Sequence, residues 1–146
     1  MGLDMYLECR SNPVDHPDEY DTEAAYWRKA NQIHGWFSEN GEPVEGEEEM
    51  WYITRDDISE LIDVCKLVKE HCIIENVRDE HKNASFRDTE EAEAFASSVL
   101  PTCSGFFFGS TAYDGWYAQD ILFTITKLEN VLADYDEEVF RYVASW

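Results

Sequence analysis

The stretch LPTCSGFFFGSTAYDGWY, residues 100–117, is the most informative part of the sequence for the fold. Three consecutive Phe residues between glycines predict a short buried strand, because both faces of such a strand need apolar side chains. The small residues Gly109 to Thr111 predict a turn, and Asp114 predicts the N-cap of the longest helix. Together they would present free N–H groups and the positive end of a helix dipole, which suits an anion. A buried strand that simply ends in a small-residue turn is the alternative interpretation.

The segments on either side predict one α+β domain over residues 1–146. Apolar and polar residues alternate from residue 2 to residue 10, which predicts a first strand. A last strand is predicted at residues 139–146, and we expect the two strands to be neighbours in the sheet. The order β-α-β-α-α-β-α-β favours a small mixed or antiparallel sheet packed with about four helices. The patterns between these strands predict helices over Thr22–Ser38, from the cap Thr54 to Cys72, from the cap Asp88 to Val99 and after Asp114, with a strand over Met50–Thr54.

The composition is strongly acidic, with 32 acidic residues against 11 basic ones and a formal net charge of −21. Direct binding to nucleic acid is therefore not expected, because such binding depends on clustered Lys and Arg. The acids concentrate in two predicted loops, near residues 11–21 and 39–49. Solubility is the simplest explanation for them.

Features of targeting and cofactor binding are not found in the sequence. It has no apolar run of transmembrane length and no secretory signal pattern, so we expect a cytoplasmic protein with no membrane contact. The four cysteines lack the spacing of a zinc site. Cys65 and Cys72 are expected on one helix face, where thiols behave as small apolar groups. No cofactor is predicted.

Three separated motifs carry a resemblance to a group of known proteins. They are MGLDMYL at residues 1–7, YWRKANQIHGWF at 26–37 and the stretch at 100–117, followed by ASW at the end of the sequence. With these motifs in this order, the chain resembles an uncharacterised family of small proteins encoded by phages and prophages. The resemblance implies a phage setting and carries over no catalytic residue. The acidic segment at residues 43–49 does not belong to the shared motifs.

Two of these motifs mix aromatic side chains with groups able to contact a phosphate or the edge of a base. Aromatic rings stack on nucleobases, basic side chains meet phosphate charge, and amide, imidazole and hydroxyl groups give directional hydrogen bonds. We therefore predict a site for a phosphate-bearing, nucleotide-like ligand. The alternative is that the same side chains belong to the core or to surface ion pairs. The candidate residues are Trp27, Arg28, Lys29, Asn31, His34, Ser110, Thr111, Tyr113 and Trp116.

In a phage setting, such a protein would sequester a host signalling nucleotide and so keep a host defence protein silent. Enclosing the ligand requires a deep cleft or a homo-oligomer, and the pattern favours binding over catalysis. Two other classes stay open. Asp4, His34 and Asp114 would be the ligands of a metal-dependent phosphoester hydrolase. The acids clustered in Asp15–Glu23, Glu39–Glu49 and Asp134–Glu138 would alternatively let the protein mimic DNA and inhibit a host DNA-binding enzyme.

Overall fold

The alternating pattern near the N-terminus forms an inner strand of the main sheet. In the computed structural model, which describes residues 2–75 and 84–146, β1 (Asp4–Cys9) buries every second side chain on one face. The last strand, β7 (Val139–Ser145), buries its side chains with the same period and pairs with β1 in antiparallel orientation. The prediction that the first and last strands are neighbours is therefore confirmed.

The described residues form a five-stranded sheet in the order β2-β1-β7-β4-β3, in which every neighbouring pair is antiparallel. A separate two-stranded sheet pairs β5 with β6. The described residues also contain four helices, so the predicted α+β class is confirmed. The remaining elements are β2 (Thr22–Arg28), α1 (Asn31–Asn40), β3 (Glu42–Pro43), β4 (Met50–Thr54), α2 (Arg55–Cys72), β5 (Ile73–Glu75), β6 (Ala84–Phe86), α3 (Glu90–Val99) and α4 (Gly115–Asp134).

The two long helices, α2 and α4, begin at the predicted caps and supply much of the core. Thr54 and Asp57 form a complete capping box at the start of α2, and Asp114 accepts a hydrogen bond from Tyr117 N at the start of α4. Both helices bury one apolar stripe. Cys65 and Cys72 lie in the stripe of α2, as predicted. No helix of the described residues combines the length and the hydropathy that are needed to cross a membrane.

The predicted helix over Thr22–Ser38 is wrong in its first half, where β2 forms instead. Thr, Tyr and Trp favour strands, and hydrogen bonding to β1 along the whole of β2 outweighs the helical spacing of the apolar residues. The backbone of Lys29 then turns into the left-handed region (φ 56°), and α1 begins two residues later. The strand period puts neighbouring rings on opposite faces, so Trp27 is buried while Tyr26 is exposed.

The predicted strand of three Phe residues is also wrong, because residues 106 and 107 form a tight turn. Phe106 and Phe107 are exposed and Phe108 alone is buried. Left-handed backbones at Phe107 (φ 62°) and Gly109 (φ 86°) interrupt the extended conformation that a strand needs.

The region between α2 and α4 differs from the prediction in two smaller ways. Between α2 and α3, where the sequence predicted no strand, the chain contains the paired strands β5 and β6; positions 76–83 lie outside the described residues. The cap of α3 is Thr89 instead of Asp88, because the Thr89 hydroxyl accepts the hydrogen bond from Ala92 N at 3.2 Å. Neither difference affects the predicted pairing of the first and last strands or the two long helices.

Candidate functional site

A cleft of about 410 Å³ opens where three parts of the chain meet: the junction of β2 and α1, the loop at residues 102–112, and the start of α4. This volume falls in the range of small-molecule sites. Basic, acidic, polar and aromatic side chains line it together. The lining residues are Arg28, Lys29, Asn31, Gln32, Thr102, Gly109, Ser110, Ala112, Asp114, Trp116, Tyr117 and Asp120.

The amide of Asn31 holds the loop against α1. Its Nδ2 donates to the carbonyls of Phe108 (3.0 Å) and Ser110 (2.9 Å), and its Oδ1 accepts from Cys103 N at 2.9 Å. Asn31 is buried, so each of these bonds satisfies a polar group withdrawn from water. Asn31 therefore shapes the cleft wall, and its hydrogen bonds go to the loop instead of the ligand that the sequence had predicted for them.

Left-handed backbone conformations concentrate where the β2–α1 junction meets the loop at residues 102–112. Lys29 and Phe107 are both non-glycine residues of this kind. Leu3 links them, because its carbonyl accepts from Lys29 N at 2.8 Å and its N–H donates to Phe107 O at 3.0 Å. A side chain at Gly109 would be strained by its φ and would place Cβ 3.2 Å from Lys29 Cβ. Such residues cost free energy and cluster at functional sites.

The basic side of the cleft lies at the junction of β2 and α1. Arg28 forms an ion pair with Asp4 at 2.9 Å, and Asp4 also accepts a hydrogen bond from the Tyr26 hydroxyl. The Tyr26 hydroxyl first and the Arg28 guanidinium second lower the pKa of Asp4, so this carboxylate is ionised. Lys29 is exposed, and α1 follows it with no side-chain cap from the described residues and no acid in its first turn. Two cationic side chains thus accompany the positive end of a helix dipole.

The opposite side of the cleft is formed by the first turns of α4. Trp116 is 75% exposed, and Asp120 lies one turn further along the same helix face. Withdrawal from water first, and the charge of Asp114 second, raise the pKa of Asp120 to about 7. Within residues 2–75 and 84–146, the Asp120 carboxylate accepts no hydrogen bond and forms no ion pair. At pH 7 this carboxyl is therefore partly ionised, and it borders the cleft with no partner among the described residues.

The structure brings five of the nine predicted ligand residues to this cleft and places four elsewhere. Arg28, Lys29, Asn31, Ser110 and Trp116 line the cleft. The indole of Trp27 is 3% exposed and donates to Thr124 Oγ1 at 2.9 Å, so it belongs to the core and is not available for stacking on a ligand. The other three are Thr111, Tyr113 and His34.

Thr111 and Tyr113 act within the loop at residues 102–112 and its flank. The Thr111 carbonyl accepts from the Thr102 hydroxyl at 2.9 Å, and the Tyr113 hydroxyl accepts from Thr102 N at 3.2 Å. The ring of Tyr113 packs on Tyr117 and Phe86, with centroids 5.1 Å and 5.9 Å away. Both residues therefore fix the shape of the loop and do not line the cleft.

His34 lies in a separate cluster on the other side of the loop, which we call the aromatic box: His34 with Trp51, Phe108, Tyr142 and Trp146. Its Nδ1 is 2.8 Å from the Tyr142 hydroxyl, and its Nε2 is 3.8 Å from Glu49 Oε2. Burial lowers the pKa of His34 to about 4, and burial also raises the pKa of Glu49. The imidazole is therefore neutral at pH 7 and serves as a structural hydrogen-bonding group, so the predicted ligand contact from His34 is not supported.

The proposed metal ligands Asp4, His34 and Asp114 do not form a site. Asp4 is held by Arg28, His34 lies in the aromatic box, and Asp114 caps α4. No cluster of three or more His, Cys, Asp or Glu residues suited to a metal ion occurs in residues 2–75 and 84–146. The described residues therefore give no support to the hydrolase alternative built on these three residues.

Seven of the twelve lining residues were not among the predicted ligand residues, and Gln32, Thr102 and Asp120 are the polar ones to which the sequence had assigned no role. Asp120 had a readable signal, because it stands four residues after Trp116 and directly before the buried Ile121. A charged residue at the border of an apolar stripe and one turn from an exposed Trp marks a helix face that meets a cleft. Gln32 and Thr102 had no comparable signal, since their positions depend on the turn at Lys29 and on the loop.

Comparisons of the chain with protein-family models, with curated proteins and with solved structures find no match.

Proposed function

We propose that this protein binds a phosphate-bearing, nucleotide-like small molecule in the cleft between the β2–α1 junction and the start of α4. One observation carries the proposal: an exposed indole, two cationic side chains and the start of a helix without a side-chain cap border the same cleft. Trp116 supplies a stacking surface, while Lys29 and the α1 N-terminus supply positive potential. A nucleotide needs both kinds of contact, one for its base and one for its phosphate.

Further contacts support the phosphate end. The oxygen of the Ser110 hydroxyl accepts from Ala112 N at 3.0 Å, which leaves its own O–H to donate to a phosphate oxygen. Lys29 would act as a point charge and Arg28 as a planar donor. The strongly acidic loops at residues 11–21 and 39–49 contribute no lining residue, so their repulsion of an anion acts from a distance and is screened by salt.

The biological role that we propose is sequestration, in the phage setting implied by the resemblance of the three motifs. A cytoplasmic protein of this kind would hold a host signalling nucleotide away from a defence effector. Binding without turnover is the simplest activity for such a role. Recovery of the ligand unchanged after incubation tests that point directly.

Calorimetry and thermal-shift measurements with mono-, di- and cyclic nucleotides, with and without Mg²⁺, test the proposal. A ligand at a hundred times its dissociation constant stabilises the folded state by about 2.7 kcal/mol, which gives a clear shift of the unfolding temperature. Removing Trp116 stacking is expected to weaken binding by about 1–3 kcal/mol. The test variants are Lys29→Gln and Trp116→Leu.

Matched controls are available on the same molecule. Lys66→Gln removes an exposed lysine outside the cleft, and Phe106→Leu removes an exposed ring outside it. The proposal requires that these controls bind like the wild type while Lys29→Gln and Trp116→Leu bind more weakly. Equal binding by all four variants, or the lack of any heat with every nucleotide, would reject the site.

A further inference from the structure

The position of Asp120 defines what the far end of the cleft can recognise. Asp120 follows Trp116 by four residues on α4, so the two side chains lie on one helix face about one turn apart. Both residues line the cleft, so the indole and the carboxylate border the same space. A planar ring stacked on Trp116 therefore has one edge within reach of Asp120.

The surroundings of Asp120 leave its hydrogen-bonding capacity unused. Its backbone carbonyl accepts from the Thr124 hydroxyl at 2.6 Å, but its carboxylate has no donor among the described residues. The other carboxylate of the cleft, Asp114, is occupied by Tyr117 N at 3.1 Å. A carboxylate that is partly withdrawn from water and beside a second acid is unfavourable unless donors reach it. Those donors would come from the ligand.

Among the common nucleobases, guanine presents two adjacent N–H donors, N1–H and the N2 amino group, on its Watson–Crick edge. An ionised carboxylate accepts from both at once, as it does from the paired donors of a guanidinium. Adenine and cytosine present a donor beside an acceptor there, and the acceptor would face a carboxylate oxygen unfavourably. Building on the proposed nucleotide function, we infer that Asp120 is the specificity-determining residue of the cleft and selects guanine nucleotides.

Calorimetry with GDP, IDP, ADP, XDP and inorganic pyrophosphate tests this inference. Wild-type protein is expected to bind GDP about tenfold more tightly than IDP, which lacks the N2 amino group, and at least a hundredfold more tightly than ADP. Asp120→Asn reverses the pattern in a defined way. The amide offers one acceptor and one donor, which match N1–H and O2 of xanthine, so this variant is expected to prefer XDP over GDP.

Asp134→Asn is the matched control, since it makes the same chemical change at an exposed position on α4 away from the cleft. It should keep the wild-type preference for GDP. Equal affinity of wild type for GDP and ADP, together with weaker binding by Lys29→Gln, would overturn the role of Asp120 and leave the nucleotide site standing. Absence of binding by all five probes would reject both. A preference for GDP that survives Asp120→Asn would assign guanine selection to another group and overturn the inference.

Discussion

The aromatic box and the cleft lie on two sides of the same loop, and each holds one titratable side chain withdrawn from water. In the box, His34 meets the Tyr142 hydroxyl, and its ring is surrounded by Trp51, Phe108 and Trp146. In the cleft, the carboxylate of Asp120 has no partner among the described residues. The loop joins the two regions, since the Phe108 ring belongs to the box while its carbonyl binds Asn31 at the cleft wall.

The two groups differ in where their hydrogen-bond partners are: those of His34 belong to the chain itself, whereas Asp120 has none among the described residues. A buried polar side chain whose partners come from the same chain contributes to the stability and uniqueness of the fold. One that lacks such partners and borders a cleft lowers stability, and it persists only where another requirement outweighs that cost. Titration of His34 and titration of Asp120 are therefore expected to change the free energy of unfolding with pH in opposite directions.

The largest expected effect concerns the pH dependence of stability through His34. Its folded pKa of about 4 lies below the ordinary value of 6.5, so the unfolded chain takes up a proton at a higher pH than the folded protein does. Above pH 6.5 the imidazole is neutral in both states and stability does not depend on its titration. As pH falls from 6.5 to 4, protonation of the unfolded chain lowers the free energy of unfolding, by about 3 kcal/mol at pH 4. Urea unfolding at pH 7 and at pH 4 measures it.

His34→Gln isolates this contribution from the many carboxylates that titrate in the same range. The amide can still bond the Tyr142 hydroxyl and does not titrate, so the variant should lose less stability than the wild type between pH 7 and pH 4. Parallel pH profiles for the two proteins would show that His34 is already accessible to protons in the folded state.

The second effect is smaller and opposite in sign. The folded pKa of Asp120, about 7, lies above the ordinary 3.8, so ionisation of this group destabilises the folded protein as pH rises from about 4 to 7. Asp120→Asn removes that cost and should stabilise the protein at pH 8 by about 2 kcal/mol, a value reduced because the carboxylate still borders the open cleft. Chemical denaturation at pH 8 and pH 4 is the measurement.

The advantage of Asp120→Asn should shrink to a small remainder at pH 4, where the folded wild-type carboxyl is protonated and the unfolded one is about half ionised. Asp134→Asn, an exposed acid on the same helix, should change stability by less than about 0.5 kcal/mol at either pH. If Asp120→Asn instead lost stability at pH 8, Asp120 would be a stabilising structural group, as His34 is. Gain of stability with loss of ligand binding is the usual behaviour of a functional residue.

The sequence predicted the elements whose signals are local. The capping box of Thr54 and Asp57 and the apolar stripe of α2 depend on residues within one or two turns, and both were confirmed. The helix predicted over Thr22–Ser38 failed because its first half pairs with β1, a partner that helical spacing cannot reveal. The strand predicted for the three Phe residues failed for a related reason. The hydrogen bonds that hold the observed turn come from Leu3 and Asn31, more than seventy residues away in the chain.

The cleft shows the same limit at the level of single residues. Aromatic and polar composition led to two segments that both contribute to the cleft, and five of the nine candidates line it. The strand period of β2 decides that Trp27 faces the core while Arg28 faces the opposite way, and a helical interpretation could not separate them. Asn31 and His34 were correctly identified as hydrogen-bonding groups, but their partners are fixed by tertiary contacts.

The smallest expected effect comes from the acidic loop at residues 39–49, which also tests DNA mimicry as the rival function. Glu45, Glu47 and Glu48 are exposed, so replacing all three by Gln should change the free energy of unfolding by less than about 0.5 kcal/mol. Glu49 differs, because its carboxylate lies 3.8 Å from His34 Nε2 and its backbone carbonyl accepts from Ala144 N at 3.0 Å. Glu49→Gln is therefore the comparison variant, and it should alter stability more than the triple change does.

Under the nucleotide proposal, the triple variant keeps full ligand affinity in calorimetry. If it instead lost binding to a DNA-binding enzyme that the wild type inhibits, the exposed acids would be the functional surface and the cleft would not.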